Sequence, residues 1–337
     1  MQNIVRENSQ FRETLRAGQR FVVTSHTRLD GDAVGALLAV TKLLKNLGKE
    51  VTAVVDGEIP KVYRFVPLVD CVSLEVKKYR EPFDVLIVVD CTDLARTGVQ
   101  FESLRPETTV VNVDHHPDNS LFGKVNFLDP HASSTSEIIY TLMEKDGLTF
   151  DTDILESLFI GIYTDTGRFL YANTTPKSLR IAAKLLEEGL PLHKIGQKIY
   201  QNFPPEVLNL KSLATLEIEK SDDGRLAWTT ITLEMFRRTS THPIDTQEFA
   251  NIPLEVEGVE VGVLFTEISD TRVKVSLRSK RAFDAGTFAR GLGGGGHYSA
   301  AGATSEKGLS ETKRIVLDRL KESLGLKSNS ETGKELD

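Results

Sequence analysis

From residue 21 to about residue 200 the chain alternates short apolar runs with stretches of helical apolar spacing. That alternation is the pattern of a parallel β-sheet with helices packed on its faces. The runs lie at residues 21–24, 51–55, 85–89 and 109–113. Three of them end in chemistry-bearing side chains. The first leads into SHTRLDGDAVGA with His26, Asp30 and Asp32, the third into VVDCTD with Asp90, and the fourth into VNVDHHPDN with Asp114, His115 and His116. A later helical run, DILESLFIGIYTDTGRF, delivers Asp165 at its end. In an open parallel sheet the loops at the carboxyl ends of the strands line the ligand crevice, so all these residues are expected at one edge.

The first of these loops packs a histidine and two aspartates into seven residues, before helical spacing sets in over residues 33–47. Neutral imidazole and carboxylate groups are nitrogen and oxygen donors suited to manganese, zinc or iron. A second account needs no metal: Asp32 would cap the helix that begins at Ala33, and Asp-Gly-Asp is a common turn sequence. For this loop taken alone, both accounts stay open.

A length of 337 residues suits two domains, each with its own core. With 40% hydrophobic and 26% charged residues the composition is that of a globular chain, and the longest strongly apolar run, residues 85–89, is far too short to span a bilayer. The N-terminal stretch MQNIVRENSQFRETLRAG has no apolar secretory core, so a cytoplasmic location is expected. Cys71 and Cys91 are too few for a disulfide framework and have no zinc-type spacing, which leaves core packing as the expectation for both. A net charge of −7 argues against coating long nucleic acid through many phosphate contacts, but not against short anionic substrates.

Two prolines in NFPPEVLNLKSL interrupt the pattern ahead of a helical stretch and mark a connector at 201–219. Beyond it LAWTTIT, VEVGVLFTEI and RVKVSLRS alternate as half-buried strands, with SDT as a hairpin turn between the last two. In the third strand Val273, Val275 and Leu277 share one face and Arg272, Lys274, Ser276 and Arg278 the other. A helix over 284–292 feeds a run of four glycines, and residues 327–337 read as a disordered tail. His131, His193 and His242 have no motif around them and are expected as surface or capping residues.

Seven potential ligands from four separate stretches, His26, Asp30, Asp32, Asp90, His115, His116 and Asp165, are more than turn chemistry explains. A pair of divalent cations about 3.5–4 Å apart needs a bridging carboxylate with nitrogen and oxygen ligands on each side, and this set contains both. The stretches HTRLDGDAVG, VVDCTD, DHHPDN and GIYTDTGRF resemble the four motifs of the DHH phosphoesterase superfamily, and GLGGGGHYSAAGAT resembles the glycine-rich motif of the associated DHHA1 domain. Together the two resemblances cover almost the whole chain. They imply an α/β fold: a parallel-sheet DHH domain with helices on both faces (1–200), then a smaller α/β DHHA1 domain across a cleft (220–326). One departure is Arg28-Leu29, where many members have Asn-Pro; neither is a ligand position.

The resemblance also implies roles. His26 and Asp30 would hold one metal and Asp32, His115 and Asp165 the other, with Asp90 bridging two divalent ions, Mn²⁺ first among the candidates. His116 would act on the substrate phosphate as hydrogen-bond donor or general acid, and Asp114 would orient the loop. Arg278 and the loop of Gly293, Gly294, Gly295, Gly296 and His297 would hold the substrate, glycines letting backbone amides approach an anion. The implied activity is degradation of very short RNA to nucleoside monophosphates, with dephosphorylation of 3'-phosphoadenosine-5'-phosphate (pAp) beside it. A phosphodiesterase of cyclic or linear dinucleotides is the enzymatic alternative. A nucleotide-binding sensor that has lost its chemistry is the other, and the complete ligand set argues against that. The oligomeric state is left open, a homodimer included.

Overall fold

The computed structural model describes residues 7–280 and 283–326, so the expected tail lies outside the described residues. The chain divides into two units, Met1–Asn202 and Phe203–Asp337. In chain order the first contains α1 (Glu7–Ala17), β1 (Arg20–Thr24), α2 (Gly31–Asn46), β2 (Glu50–Val54), β3 (Val72–Ser73), β4 (Lys78–Tyr79) and β5 (Val85–Val89). There follow β6 (Gln100–Phe101), β7 (Thr109–Asp114), β8 (Val125–Leu128), α3 (Thr135–Lys145), α4 (Thr152–Asp165), α5 (Pro176–Glu187) and α6 (Leu192–Tyr200). The main sheet runs β3-β2-β1-β5-β7-β8, every neighbouring pair parallel. The four expected strands are its middle; β3 and β8, two and four residues long, are too short to stand out as apolar runs.

All five residues of β5 are buried because both faces of the sheet are covered. Ile87 and Val89 face the main core, to which all six helices contribute. Leu86 and Val88 face a smaller cluster with Val22, Val54 and Phe83, closed by Leu94, Leu104 and the β4–β6 ribbon residues Tyr79 and Phe101. The second face thus carries a ribbon and turns rather than the second helical layer that the pattern predicts. The connections over residues 55–84 and 90–108 are rich in proline and charge and form only short 3-10 turns and two-residue strands.

Helix α2 is buried without a break from Gly31 to Thr41, since its apolar and small residues occupy every side. It packs on α4 where both carry glycine. A Cβ at Gly35 would run into the carbonyl of Ser157, and one at Gly161 would meet the Ser136 hydroxyl and lie 2.5 Å from Asp32 Oδ1. This close crossing brings the first turn of α2 against α4 and the start of α3.

The second unit contains α7 (Pro205–Leu216), β9 (Glu219–Lys220), β10 (Leu226–Ile231), α8 (Leu233–Thr239) and a 3-10 segment (Pro243–Glu255). It continues with β11 (Val261–Ser269), β12 (Arg272–Ser279), α9 (Ala285–Arg290), β13 (Gly295–Gly296), β14 (Ala300–Ser305) and α10 (Leu309–Ser323). Its sheet order is β13-β14-β12-β11-β10-β9, antiparallel except for the β10–β11 pair. Half-buried alternation is expected for the strands, yet β10 is buried along its whole length and β11 over its first six residues. Leu226, Trp228, Val263 and Phe265 pack with residues of α9 and α10, while Ile231 and Leu264 pack on α7, α8 and the 3-10 segment. Helix α7 falls in the segment expected as a connector, and its Val207, Leu210 and Ala214 belong to this second cluster. Of the cysteines, Cys91 is buried as expected whereas Cys71 is exposed at the end of a 3-10 turn.

Candidate active site

Strands β1, β5 and β7 are adjacent and parallel, so the loops after them share one edge of the sheet. The helix cap expected at Asp32 is Asp30 instead, because α2 begins at Gly31. Asp30 Oδ1 accepts from the amides of Asp32 (3.1 Å) and Ala33 (3.0 Å). Asp32, in the first turn, is buried and turned the other way: its Oδ2 accepts from the Thr135 amide (2.6 Å) and its Oδ1 from the Ser136 amide (3.0 Å), at the start of α3. Amides at a helix N-terminus carry partial positive charge, which offsets part of the cost of a buried carboxylate.

Asp90 directly follows β5 and has a φ of +52°, a conformation uncommon for a residue with a side chain. Its two oxygens face different partners. Oδ2 lies 3.5 Å from His26 Nε2, while Oδ1 lies 3.7 Å from His115 Nε2 and 3.6 Å from His116 Nδ1. Three donor groups consequently share Asp90: His26, Asp30 and Asp90 offer ligand atoms within 4.8 Å of one another, and so do Asp32, Asp90 and His115, and Asp90, Asp114 and His116. Asp165, at the end of α4, adds Oδ2 at 3.5 Å from His115 Nε2. His115 Nδ1 is 3.3 Å from the Ala132 carbonyl, which places the ring proton there and turns Nε2 to the carboxylates.

Asp114, fully buried, organises the histidine pair. Its Oδ1 accepts from the amides of His115 (2.9 Å) and His116 (3.3 Å) and lies 2.7 Å from His116 Nδ1. Its Oδ2 accepts from Asn119 Nδ2 at 2.6 Å.

So many carboxylates in one place strain each other's charge. Burial and the nearby Asp90 and Asp165 charges hold the Asp32 carboxyl well above the usual range, against a hydrogen bond from Ser136. Burial, together with Asp30 and Asp90, pushes Asp165 up to about 7, although His115 and His116 oppose it. Asp90 goes the other way: burial would raise it, but the hydrogen bond from His26 and the charges of His116, His26 and His115 bring it below the carboxylate range. Burial opposes the charged form of His116, yet Asp114, Asp90 and Asp165 raise it to about 10. Among the described residues Asp165 Oδ2 is buried with no hydrogen-bond partner. Nitrogen and oxygen donors, mutually repelling carboxylates and an unsatisfied carboxylate oxygen are the chemistry that divalent cations fit.

The residues that hold this cluster in shape carry no ligand motif in the sequence. Thr135 donates its hydroxyl to Asp90 Oδ1 (3.0 Å) as well as its amide to Asp32. Asn173 Nδ2 lies 3.0 Å from both the Ser133 and the Asp165 carbonyls. A signal was present: SSTSE has the Ser-x-x-Glu spacing of a helix start, and Ser134 does accept from the Glu137 amide at 3.1 Å.

In the second unit, Arg278 lies near the end of β12, paired with Gly262 and Ala300. Its Nη1 donates to the Leu277 carbonyl (3.0 Å), and its Nε is buried without a hydrogen-bond partner among the described residues. The glycine run folds back as β13 on β14, turning through positive φ at Gly293 and Gly296. A Cβ at Gly294 would strike the Gly302 carbonyl and come within 2.7 Å of Ala303 Cα. The amides of Gly293, Gly294 and His297 donate to the carbonyls of Arg290, Ala289 and Ala300. Glycine is thus required here first for the close approach of two backbone segments. The three remaining histidines are placed as expected: His131 and His193 are exposed, and His242 caps the 3-10 segment.

The DHH family N-terminal domain matches residues 20–162 and the DHHA1 domain residues 228–325. The bifunctional oligoribonuclease and PAP phosphatase NrnA of Thermus thermophilus is 34% identical over 305 residues, covering 90% of this chain and 89% of that protein. The chain belongs to the DHH/DHHA1 family. A protein of the same description from Bacillus subtilis is 26% identical over 90% of this chain and 95% of its own length. The DHH/DHHA1 fold extends over the whole chain of an exopolyphosphatase-related protein from Bacteroides fragilis, with a TM-score of 0.85 at 23% identity, covering 96% of this chain and 100% of that one. Among the described residues no helix is long and apolar enough to cross a membrane.

Proposed function

We propose that this DHH/DHHA1 protein is a two-metal phosphohydrolase that degrades very short oligoribonucleotides to nucleoside monophosphates and removes the 3'-phosphate of pAp, with Mn²⁺ as its working cation. The activities follow the names of the Thermus and Bacillus relatives. One observation carries the dimetal assignment: Asp90 belongs to donor groups on two sides at once, with its Oδ2 toward His26 and its Oδ1 toward His115. His26 and Asp30 would hold one cation, Asp32, His115 and Asp165 the other, and Asp90 both. Bound there, the cations supply Lewis-acid activation of the phosphoryl group and of an attacking water.

The chain's own residues orient the substrate and manage a proton. Asp114 holds His116 by Nδ1, so the proton that His116 exchanges with the substrate phosphate or leaving oxygen is the one on Nε2. Substrate recognition, rather than metal binding, is assigned to Arg278, with Gly293, Gly294, Gly295, Gly296 and His297. Since the amides of Gly293, Gly294 and His297 are engaged within the loop, the guanidinium of Arg278 is the stronger phosphate partner. Two free cysteines, one of them exposed, accord with a cytoplasmic enzyme.

The test is a substrate panel with Mn²⁺: pApA, longer RNA and DNA oligomers, pAp, cyclic di-AMP and pyrophosphate. Release of AMP from pApA, with phosphate from pAp, is the expected result. Preference for cyclic di-AMP would move the enzyme to the dinucleotide phosphodiesterases, and no turnover of any member would leave a binding protein.

A further inference from the structure

We infer that Thr135 is the residue that sets the Asp90 carboxylate in its bridging orientation and ties the two halves of the cluster together. The inference rests on the dimetal reading and goes beyond it by naming a positioning residue outside the ligand set. Thr135 is fully buried and makes two different bonds in two directions. Its hydroxyl donates to Asp90 Oδ1 at 3.0 Å, and its amide donates to Asp32 Oδ2 at 2.6 Å. His115 Nε2 also lies near both carboxylates, 3.9 Å from Asp32 Oδ2 and 3.7 Å from Asp90 Oδ1, at ion-pair rather than hydrogen-bond distance.

The geometry explains why a hydroxyl is needed. A carboxylate can rotate about its Cβ–Cγ bond, and a bridge works only when each oxygen keeps to its own side. Oδ2 has His26 and Oδ1 has His115 as neighbours, while Thr135 bonds Oδ1 alone. That hydrogen bond holds the plane of the carboxylate so that one oxygen faces each side. The hydroxyl's place is set by the backbone, because Thr135 opens α3 directly after its cap Ser134.

The test compares Thr135→Val, which keeps the shape and loses the hydroxyl, with Thr135→Ser, which keeps the hydroxyl. Each purified full-length protein is stripped with chelator and titrated calorimetrically with Mn²⁺, and then assayed on pApA at saturating Mn²⁺. Removing a group that orients a metal ligand costs about 10–100-fold in metal affinity or activity. Thr135→Val is expected to bind Mn²⁺ weaker by that factor and to lose kcat at saturating Mn²⁺ with KM for pApA unchanged. Thr135→Ser is expected to restore both, which a purely packing role would not produce. Wild-type affinity and kcat in Thr135→Val would overturn the inference, and so would a Thr135→Ser protein as impaired as Thr135→Val. If Thr135→Val does not fold, the serine variant decides: near-normal Mn²⁺ binding supports the hydroxyl role and a large loss overturns it. Wild-type protein that neither takes up Mn²⁺ nor cleaves pApA would sink the dimetal reading and this role together, whereas an active wild type with an undisturbed valine variant would sink this role alone.

Discussion

The two units build their chemical features by different means. In the first, side chains from the ends of β1, β5, β7 and α4 converge on Asp90, and the backbone's part is to aim them. In the second, the backbone itself is the feature: at Gly294 and Gly296 the chain lies so close to β14 that a Cβ would collide with it, and Arg278 is the charged group beside it. A site made of converging carboxylates is fragile to charge and geometry at single atoms. One made of close-packed backbone is fragile to volume.

That contrast can be broken most directly at Asp90. Asp90→Asn is expected to abolish turnover on every substrate and to weaken metal loading, since an amide is a poor bridging ligand; retained turnover with both cations bound would remove Asp90 from the centre. The histidine pair separates ligand from acid. His116→Ala is expected to lose about 10²–10⁴-fold in kcat while still binding two cations, whereas His115→Ala should lose a cation, and equal metal contents in the two purified variants would contradict this division.

Arg278→Ala tests the other unit. Losing a charge-assisted phosphate contact costs about 1.5–3 kcal/mol, or roughly ten- to a hundredfold in kcat/KM on a dinucleotide. Metal content should not change, and bis-p-nitrophenyl phosphate should be cleaved almost normally. Equal losses on both esters would assign Arg278 to the fold. The smallest effect distinguishes two glycines by what surrounds them. Gly161→Ala and Gly294→Ala each overpack a tight contact, at about 1–3 kcal/mol of stability, readable as a lowered Tm. Only Gly161→Ala, which crowds Asp32 and Ser136, should also weaken Mn²⁺ binding.

The order of apolar runs, the motifs at their ends and the helical run into Asp165 were all legible in the sequence, because each is a local pattern of residues close in the chain. The short strands β3 and β8 were not, since two to four residues carry no periodicity and owe their conformation to the neighbouring strand. Nor was the burial of both faces of β10, where Thr229, on the same face as Ile231, is covered by α7 and donates its hydroxyl to the Ala214 carbonyl.

By itself, then, the sequence determined which residue types were available to the centre and that an α/β sheet would carry them to one edge. Only the tertiary structure decided that Asp30 caps α2 while Asp32 turns inward, and that Asp90 presents one oxygen to His26 and the other to His115. It also recruited Thr135, 45 residues from Asp90 and 103 from Asp32, to bond both. The reason is physical: a capping or ligand-holding hydrogen bond depends on positions to within a few tenths of an ångström. Those positions are fixed by how α2 and α4 cross at Gly35 and Gly161 and where that leaves the start of α3, a contact between segments far apart in the chain.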